Sequence, residues 1–290
     1  MKRVIVTAVL CLALGAAADH LFLNAAVSQQ AAATKPTYTM PNYEPGNQGN
    51  GQASKDRLAA SPRHQEIVEI KVLGVEKPMK AFVVYPERPD KAPVVLCIME
   101  IFGMTDWVQA TTDQLAADGF IAIAPDFTSL KSGAVNPGNA TQGITAADVI
   151  ADCNAARDYG LKLPSANGKS ATVGFCWGGG MSFAYAAAQP EVNAAVVFYG
   201  TPPADGELAK IKAPVAGFYG GSDNRVTSTV AGTTDAMKKL GKSYDPHVYD
   251  GAGHGFMRAQ SPGANAKAAE TAWPLVVKFL KDNTKVEEMK

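Results

Sequence analysis

Neither sign of charge is in excess in this 290-residue chain, where Lys and Arg total 27 and Asp and Glu total 27. A zero balance supplies no global basic field, so electrostatic binding of nucleic acid or anionic lipid is not expected. Chemistry-bearing side chains are scarce, with 4 cysteines and 4 histidines. There is no C-x-x-C, no H-E-x-x-H, no P-loop lysine and no G-x-G-x-x-G following a strand-like run. Metal, dithiol and nucleotide chemistry therefore lack their usual residues, and no metal or cofactor is expected. Charged residues are held to 19% while hydrophobic residues reach 47%, which excludes disorder over the whole length.

The first sixty residues differ from the rest. Met1-Lys2-Arg3 is a basic start, Val4 to Leu14 an apolar run, and Ala16-Ala17-Ala18 supplies small residues for cleavage. This is the pattern of a secretory signal peptide, read here as residues 1–18, with later cleavage near Ala31-Ala32-Ala33 as an alternative. A retained membrane anchor competes with it, because Leu21-Phe22-Leu23 prolongs the apolar stretch beyond Asp19-His20. The expected location is periplasmic or secreted, with no membrane contact after cleavage. Residues 19–61 are rich in Gln, Ala, Asn, Gly, Pro and Ser with almost no aliphatic periodicity, and read as a flexible leader outside the fold. Residues 62–290 then form one domain. Loss of Cys11 with the signal leaves Cys97, Cys153 and Cys176, an odd number, so at least one thiol stays unpaired within the chain. Cys97, in mid-strand, and Cys153, in a helix, read as small core residues.

Within the domain, short apolar runs alternate with helical patterns. Strands are expected at Glu66–Leu73, Ala81–Tyr85, Val94–Met99, Phe120–Ala124, Ser170–Phe175, Ala194–Tyr199, Val215–Tyr219 and Ser243–Tyr249. Helices are expected at Asp106–Asp118, Ala146–Leu161, Trp177–Ala188, Val226–Leu240 and Ala264–Leu280. Such alternation implies a mostly parallel central sheet with helices on both faces. Ligands of these sheets bind at the carboxyl ends of the strands, so the residues directly after each strand carry the functional reading.

After the fifth of these strands stands Gly174-Phe175-Cys176-Trp177-Gly178, a G-x-C-x-G turn leading into a helix rich in small residues. It has the form of a nucleophile elbow, in which the central residue is held at strained backbone angles and its flanking glycines avoid the adjoining backbone. Cys176 at a helix N-terminus is expected to have a lowered pKa. A buried structural cysteine in a Gly-rich turn fits the same pentapeptide. Order and context add to it: Asp223 follows one later strand, in Gly220-Gly221-Ser222-Asp223-Asn224-Arg225-Val226, and His254 follows the next, in Gly253-His254-Gly255-Phe256. Nucleophile, acid, histidine is the α/β-hydrolase chain order. Asp223 would orient His254, and His254 would exchange protons with Cys176 and the leaving group. The plainer alternatives are an Asp223 that caps the following helix and a His254 that is an ordinary loop residue.

Glu100 ends the apolar run Val94–Met99, where a carboxylate is costly unless partnered or solvated. Either it reaches water as a strand-end charge, or it lies beside Cys176 and holds or accepts the thiol proton. The backbone N–H groups of Ile101 and Trp177 fall where an oxyanion hole is expected. Phe102 and Tyr199 are candidate walls of an apolar substrate pocket, or else core residues.

Taken together, Met99-Glu100-Ile101-Phe102-Gly103, Ala124-Pro125-Asp126, Gly174-Phe175-Cys176-Trp177-Gly178-Gly179, Gly221-Ser222-Asp223 and Gly253-His254-Gly255-Phe256 resemble the dienelactone hydrolase (carboxymethylenebutenolidase) family over roughly residues 64–282. The resemblance implies a single α/β-hydrolase domain with a Cys176–His254–Asp223 triad that opens a lactone through an acyl-enzyme, and a Glu100 that controls thiol ionisation. It also implies that Arg258, four residues after His254, binds a substrate carboxylate. The chain departs from the family at the second carboxylate-binding arginine: Phe127 to Val149 contains none, and Lys131 is the one basic residue there. The expected partner is therefore a small ester or lactone, with dienelactone itself open. The reading from a different class is a cysteine-based redox sensor or binding protein on a hydrolase fold.

Overall fold

The computed structural model describes residues 51–258 and 264–286. The signal-like segment and most of the expected leader lie outside the described residues.

Eight strands form one sheet in the order β1-β2-β4-β3-β5-β6-β7-β8: β1 (Gln65–Ile70), β2 (Met79–Val84), β3 (Ala92–Ile98), β4 (Ile121–Pro125), β5 (Ala166–Phe175), β6 (Ala194–Phe198), β7 (Val215–Gly220) and β8 (Tyr244–Tyr249). The pairs β1–β2 and β2–β4 are antiparallel and every other pair is parallel. The helices are α1 (Gln52–Ala60), α2 (Asp106–Ala117), α3 (Ala146–Leu161), α4 (Trp177–Ala188), α5 (Asp205–Leu208), α6 (Asn224–Thr227), α7 (Val230–Lys239) and α8 (Ala264–Thr284). This is the mostly parallel sheet that the alternation of strands and helices implies, in the α/β-hydrolase architecture that the family resemblance implies.

The sheet is covered on both sides. β3, β4, β6 and β7 are buried at every position, which is why their sequences run continuously apolar instead of alternating. A Cβ on Gly160 of α3 would run into Val94, so α3 sits directly on the face that Val94 presents. The Cys97 thiol contacts the Thr112 hydroxyl of α2. Positions 94 and 97 point to opposite faces of a strand, so α3 and α2 cover opposite faces of the sheet. The Asn154 side chain of α3 accepts from Tyr185 at 3.0 Å and Gln189 at 2.8 Å, drawing α4 to the α3 side. On the α2 side, Trp273 of α8 donates to Asp118 at 2.9 Å.

Two expectations are corrected. The fold does not begin at residue 62, because α1 docks on α2. Arg57 donates to Gln114, and just beyond the helix Ser61 reaches Asp113 at 2.5 Å. Arg63 binds the same carboxylate twice, at 2.9 and 2.6 Å. Asp113 is fully buried, so these donors offset the cost of desolvating its charge. The segment looks like a leader because polar contacts hold it where an apolar stripe would otherwise do so. The second correction is that Val226–Leu240 is not one helix. It divides into α6 and α7, where the hydroxyls of Thr227 and Thr229 take the carbonyls of Gly220 and Val226, both at 2.7 Å.

Candidate active site

The longest parallel strand, β5, ends in a sharp turn at Cys176, whose φ of 57° and ψ of −117° lie in a region that side chains rarely adopt. The amide of Cys176 is tied to Phe198 of β6 at 3.0 Å, so the strain is held by the sheet itself. The neighbouring glycines are sterically required. A Cβ on Gly174 would overlap the Gly178 carbonyl, and one on Gly178 would overlap the carbonyls of Met99 and Ile98. The thiol is thereby presented beyond the carboxyl edge of the sheet.

Two later strands deliver its partners. His254, in the turn after β8, lies with Nε2 3.0 Å from the Cys176 sulfur, and its Nδ1 is 2.5 Å from Oδ2 of Asp223. Asp223 occupies the N-cap position of α6, but its side chain makes no capping bond. Its carboxylate is spent on His254, which displaces the capping alternative. Asp223 is buried while the His254 side chain remains about one-third exposed, so the relay runs from a dry carboxylate to a solvent-reachable ring. The Tyr199 ring packs edge-on against His254 with centroids 5.1 Å apart and limits its rotation. Tyr199 is itself a positive-φ residue, at 40°, and is almost wholly buried.

Glu100 does not reach water. It is buried, and its Oε2 accepts from Nε of Arg258 at 2.7 Å. No hydrogen bond joins its carboxylate to the Cys176 thiol; its influence there is through its charge. Burial pushes the Glu100 carboxyl above its ordinary range, opposed by the positive charge and hydrogen bond of Arg258 and then by His254. The Arg258 guanidinium also stacks over Phe102, 4.9 Å from the ring centre. Arg258 is therefore partly committed to Glu100, where the family resemblance gives it to a substrate carboxylate.

The thiol itself corrects another expectation. Cys176 is pushed up to about 11, by burial first and by the Glu100 charge second. The Trp177 N–H, Arg225 and Arg258 pull the other way and do not prevail. The helix N-terminus is present, but desolvation outweighs it. Among the described residues no backbone carbonyl takes the N–H of Ile101 or Trp177, and both residues line the same cavity as the thiol.

That cavity encloses about 450 Å³ at the carboxyl ends of the strands and also receives Phe102, Tyr199 and Arg258. A larger cleft, of about 700 Å³, opens at the opposite ends of β3, β4 and β5 among Lys91, Asn167 and Lys281, and no cysteine, serine or histidine lines it. Lys131 is not at the site. Its Nζ donates to the carbonyls of Ala140 at 3.1 Å and Gln142 at 2.6 Å, and it borders a separate cavity beside Leu130 and Asp152. Arg225, to which sequence reasoning gives no role, does line the cavity. Its position two residues after Asp223, in the segment that follows β7, is the available signal. Cys97 and Cys153 are buried, unpaired and away from the cavity.

The model of the dienelactone hydrolase family matches residues 79–284. Proteins provisionally named carboxymethylenebutenolidase are similar in Methylorubrum extorquens, at 29% identity over 71% of this chain and 77% of that one, and in Escherichia coli K12, at 30% identity over 70% and 82%. The crystal structure of a provisionally named dienelactone hydrolase from Klebsiella pneumoniae superposes with a TM-score of 0.68 at 24% identity, covering 75% of this chain and 98% of that one.

Proposed function

The chain belongs to the dienelactone hydrolase family, and from that membership we propose a thiol hydrolase that cleaves a small ester or lactone through an acyl-cysteine. The observation that carries the reading is the relay from Asp223 through His254 to Cys176, with contacts of 2.5 and 3.0 Å, at the mouth of a cavity of about 450 Å³.

Asp223 accepts from Nδ1–H of His254 and leaves Nε2 as the acceptor facing the thiol. As Sγ of Cys176 attacks the carbonyl carbon, Nε2 takes the thiol proton, so a thiol that rests neutral becomes a nucleophile at the moment of bonding. The carbonyl oxygen gains the charge and is received by the N–H groups of Ile101 and Trp177. His254 then protonates the departing alkoxide. In a lactone that oxygen remains tethered to the acyl group; in an ester it leaves. Water attacks the acyl-cysteine with His254 as base, and Sγ departs with its proton restored. Glu100, through its charge and its hold on Arg258, keeps the thiol neutral between turnovers.

A redox sensor fits less well, since oxidant-sensing cysteines depend on a low pKa, whereas this thiol is pushed up to about 11. Export is proposed from the pattern of residues 1–18, and N-terminal sequencing of the protein from its native host tests it. Among the described residues no helix is long and apolar enough to cross a membrane.

Dienelactone and a short-chain p-nitrophenyl ester, each offered to the wild type and to Cys176→Ala, test the activity. Cysteine-dependent turnover, with an acyl group caught on Cys176 by mass spectrometry after rapid quenching, is the expected result. Turnover that survives Cys176→Ala would refute the mechanism.

A further inference from the structure

We propose that Arg225 is a specificity-determining residue that holds a carboxylate of the substrate from α6, the short helix after β7; this rests on the thiol-hydrolase reading above. Glu100 and Arg258 form an ion pair at 2.7 Å, and the Asp223 carboxylate, outside the lining, accepts the hydrogen bond of His254 at 2.5 Å. Arg225 lines the same cavity, and among the described residues its guanidinium enters no ion pair or hydrogen bond. The cavity therefore holds one guanidinium that has no carboxylate bound to it.

The neighbours of Arg225 in sequence offer no free partner. Its neighbours Ser222, Asn224, Val226 and Thr227 are uncharged, and the one carboxylate in the segment, Asp223, accepts from His254. The charge also reaches the reacting atom, since Arg225 lies close enough to favour the Cys176 thiolate. Much of the remaining lining is apolar or aromatic, including Phe102, Trp177, Met181 and Tyr199. A substrate complementary to this surface has a compact apolar body and one anionic end. The planar guanidinium, with donors in a fixed fork, matches a carboxylate in particular.

The placement differs from what the family resemblance implies. There the carboxylate is held by the arginine four residues beyond the histidine, and here that residue, Arg258, already grips Glu100. Arg225 stands in α6, which Asp223 leads into, so the anion approaches from the side of the triad acid. Because Arg225 is exposed, bound carboxylate stays partly hydrated, and the discrimination it confers is about tenfold.

The test uses the full chain and two matched pairs of esters. One pair carries the charge on the acyl side, mono-p-nitrophenyl glutarate against p-nitrophenyl butyrate. The other carries it on the leaving group, 4-acetoxybenzoate against its methyl ester. The readout is the ratio of kcat/KM, anionic over neutral, within each pair, so any effect of Arg225 on thiol ionisation cancels. Arg225→Gln is expected to lower one or both ratios by about tenfold, and Arg225→Lys to restore part of the loss. In the wild type the same ratio should fall as salt is raised, a measurement that needs no variant to fold. Ratios within twofold of wild type in Arg225→Gln, or wild-type ratios indifferent to salt, overturn the assignment. Absence of cysteine-dependent turnover with all four esters in the wild type overturns instead the hydrolase reading on which it rests.

Discussion

Replacing Glu100 with Gln isolates one electrostatic cause. The amide keeps the shape of the carboxylate, and its oxygen still accepts from Nε of Arg258, whose present contact is 2.7 Å. Two changes act on the thiol in the same direction: the negative charge is lost, and the guanidinium it had matched is left uncompensated. Both favour the thiolate. From its present position at about 11, the Cys176 thiol is expected to fall to about 9.5, the scale of effect that a nearby charge produces. At pH 8 a thiol at about 11 is ionised to about 0.1%, and one at about 9.5 to about 3%, roughly a thirtyfold gain in the reactive form. Iodoacetamide alkylation of Cys176, followed from pH 6 to 11 by mass spectrometry, reads this directly. The alkylation rate at pH 8 should rise by about thirtyfold in Glu100→Gln and its midpoint should move to lower pH. Peroxide inactivation should quicken with it, because the thiolate is the oxidisable form. A rate within twofold of wild type, or a slower one, would refute the reasoning and leave burial as the sole reason for the neutral thiol.

Two further outcomes follow from the fold. Arg63→Ala leaves the buried carboxylate of Asp113 without its bidentate partner, so it should destabilise the domain by about 3 kcal/mol in denaturant melts; the added change Asp113→Asn should recover part of that loss. Burial, with Asp148 nearby, raises Asp152 from 3.8 to about 6. The folded state therefore binds this proton more tightly than the unfolded state, and its contribution to stability is whole below about 3.8 and lost as pH rises through about 6. Asp152→Asn should accordingly raise Tm by about 3 °C at pH 8 and change it little at pH 3.5; an equal shift at both values would show that titration is not the cause.

Much of this architecture is written in local pattern. Continuous apolar runs such as Val94–Ile98 and Ala194–Phe198 report burial on both faces, because no polar side chain can be placed where helices cover each side. Gly174 and Gly178 are readable for a similar reason: the tight turn at Cys176 excludes a Cβ whatever surrounds it. The boundaries of α3 and α4 coincide with those expected from periodicity, whereas α1 is invisible to it. Its residues, QASKDRLAA, lack an apolar stripe, and its place is set by Arg57 and by polar contacts around Asp113 of α2.

The site divides along the same line. Spacing and chain order mark Cys176, Asp223 and His254, since each directly follows a strand and the strands of a parallel sheet end on one edge. Charge and protonation are another matter, because they depend on distance and burial, and neither is a property of neighbours in sequence. That Glu100 turns to Arg258, that Lys131 binds two carbonyls away from the site, and that Arg225 borders the cavity are decided by how the loops pack. The thiol shows the contrast most clearly. Its helix N-terminus is evident from the sequence and pulls its pKa down, while the burial and the Glu100 charge that push it up to about 11 exist only once the chain has folded.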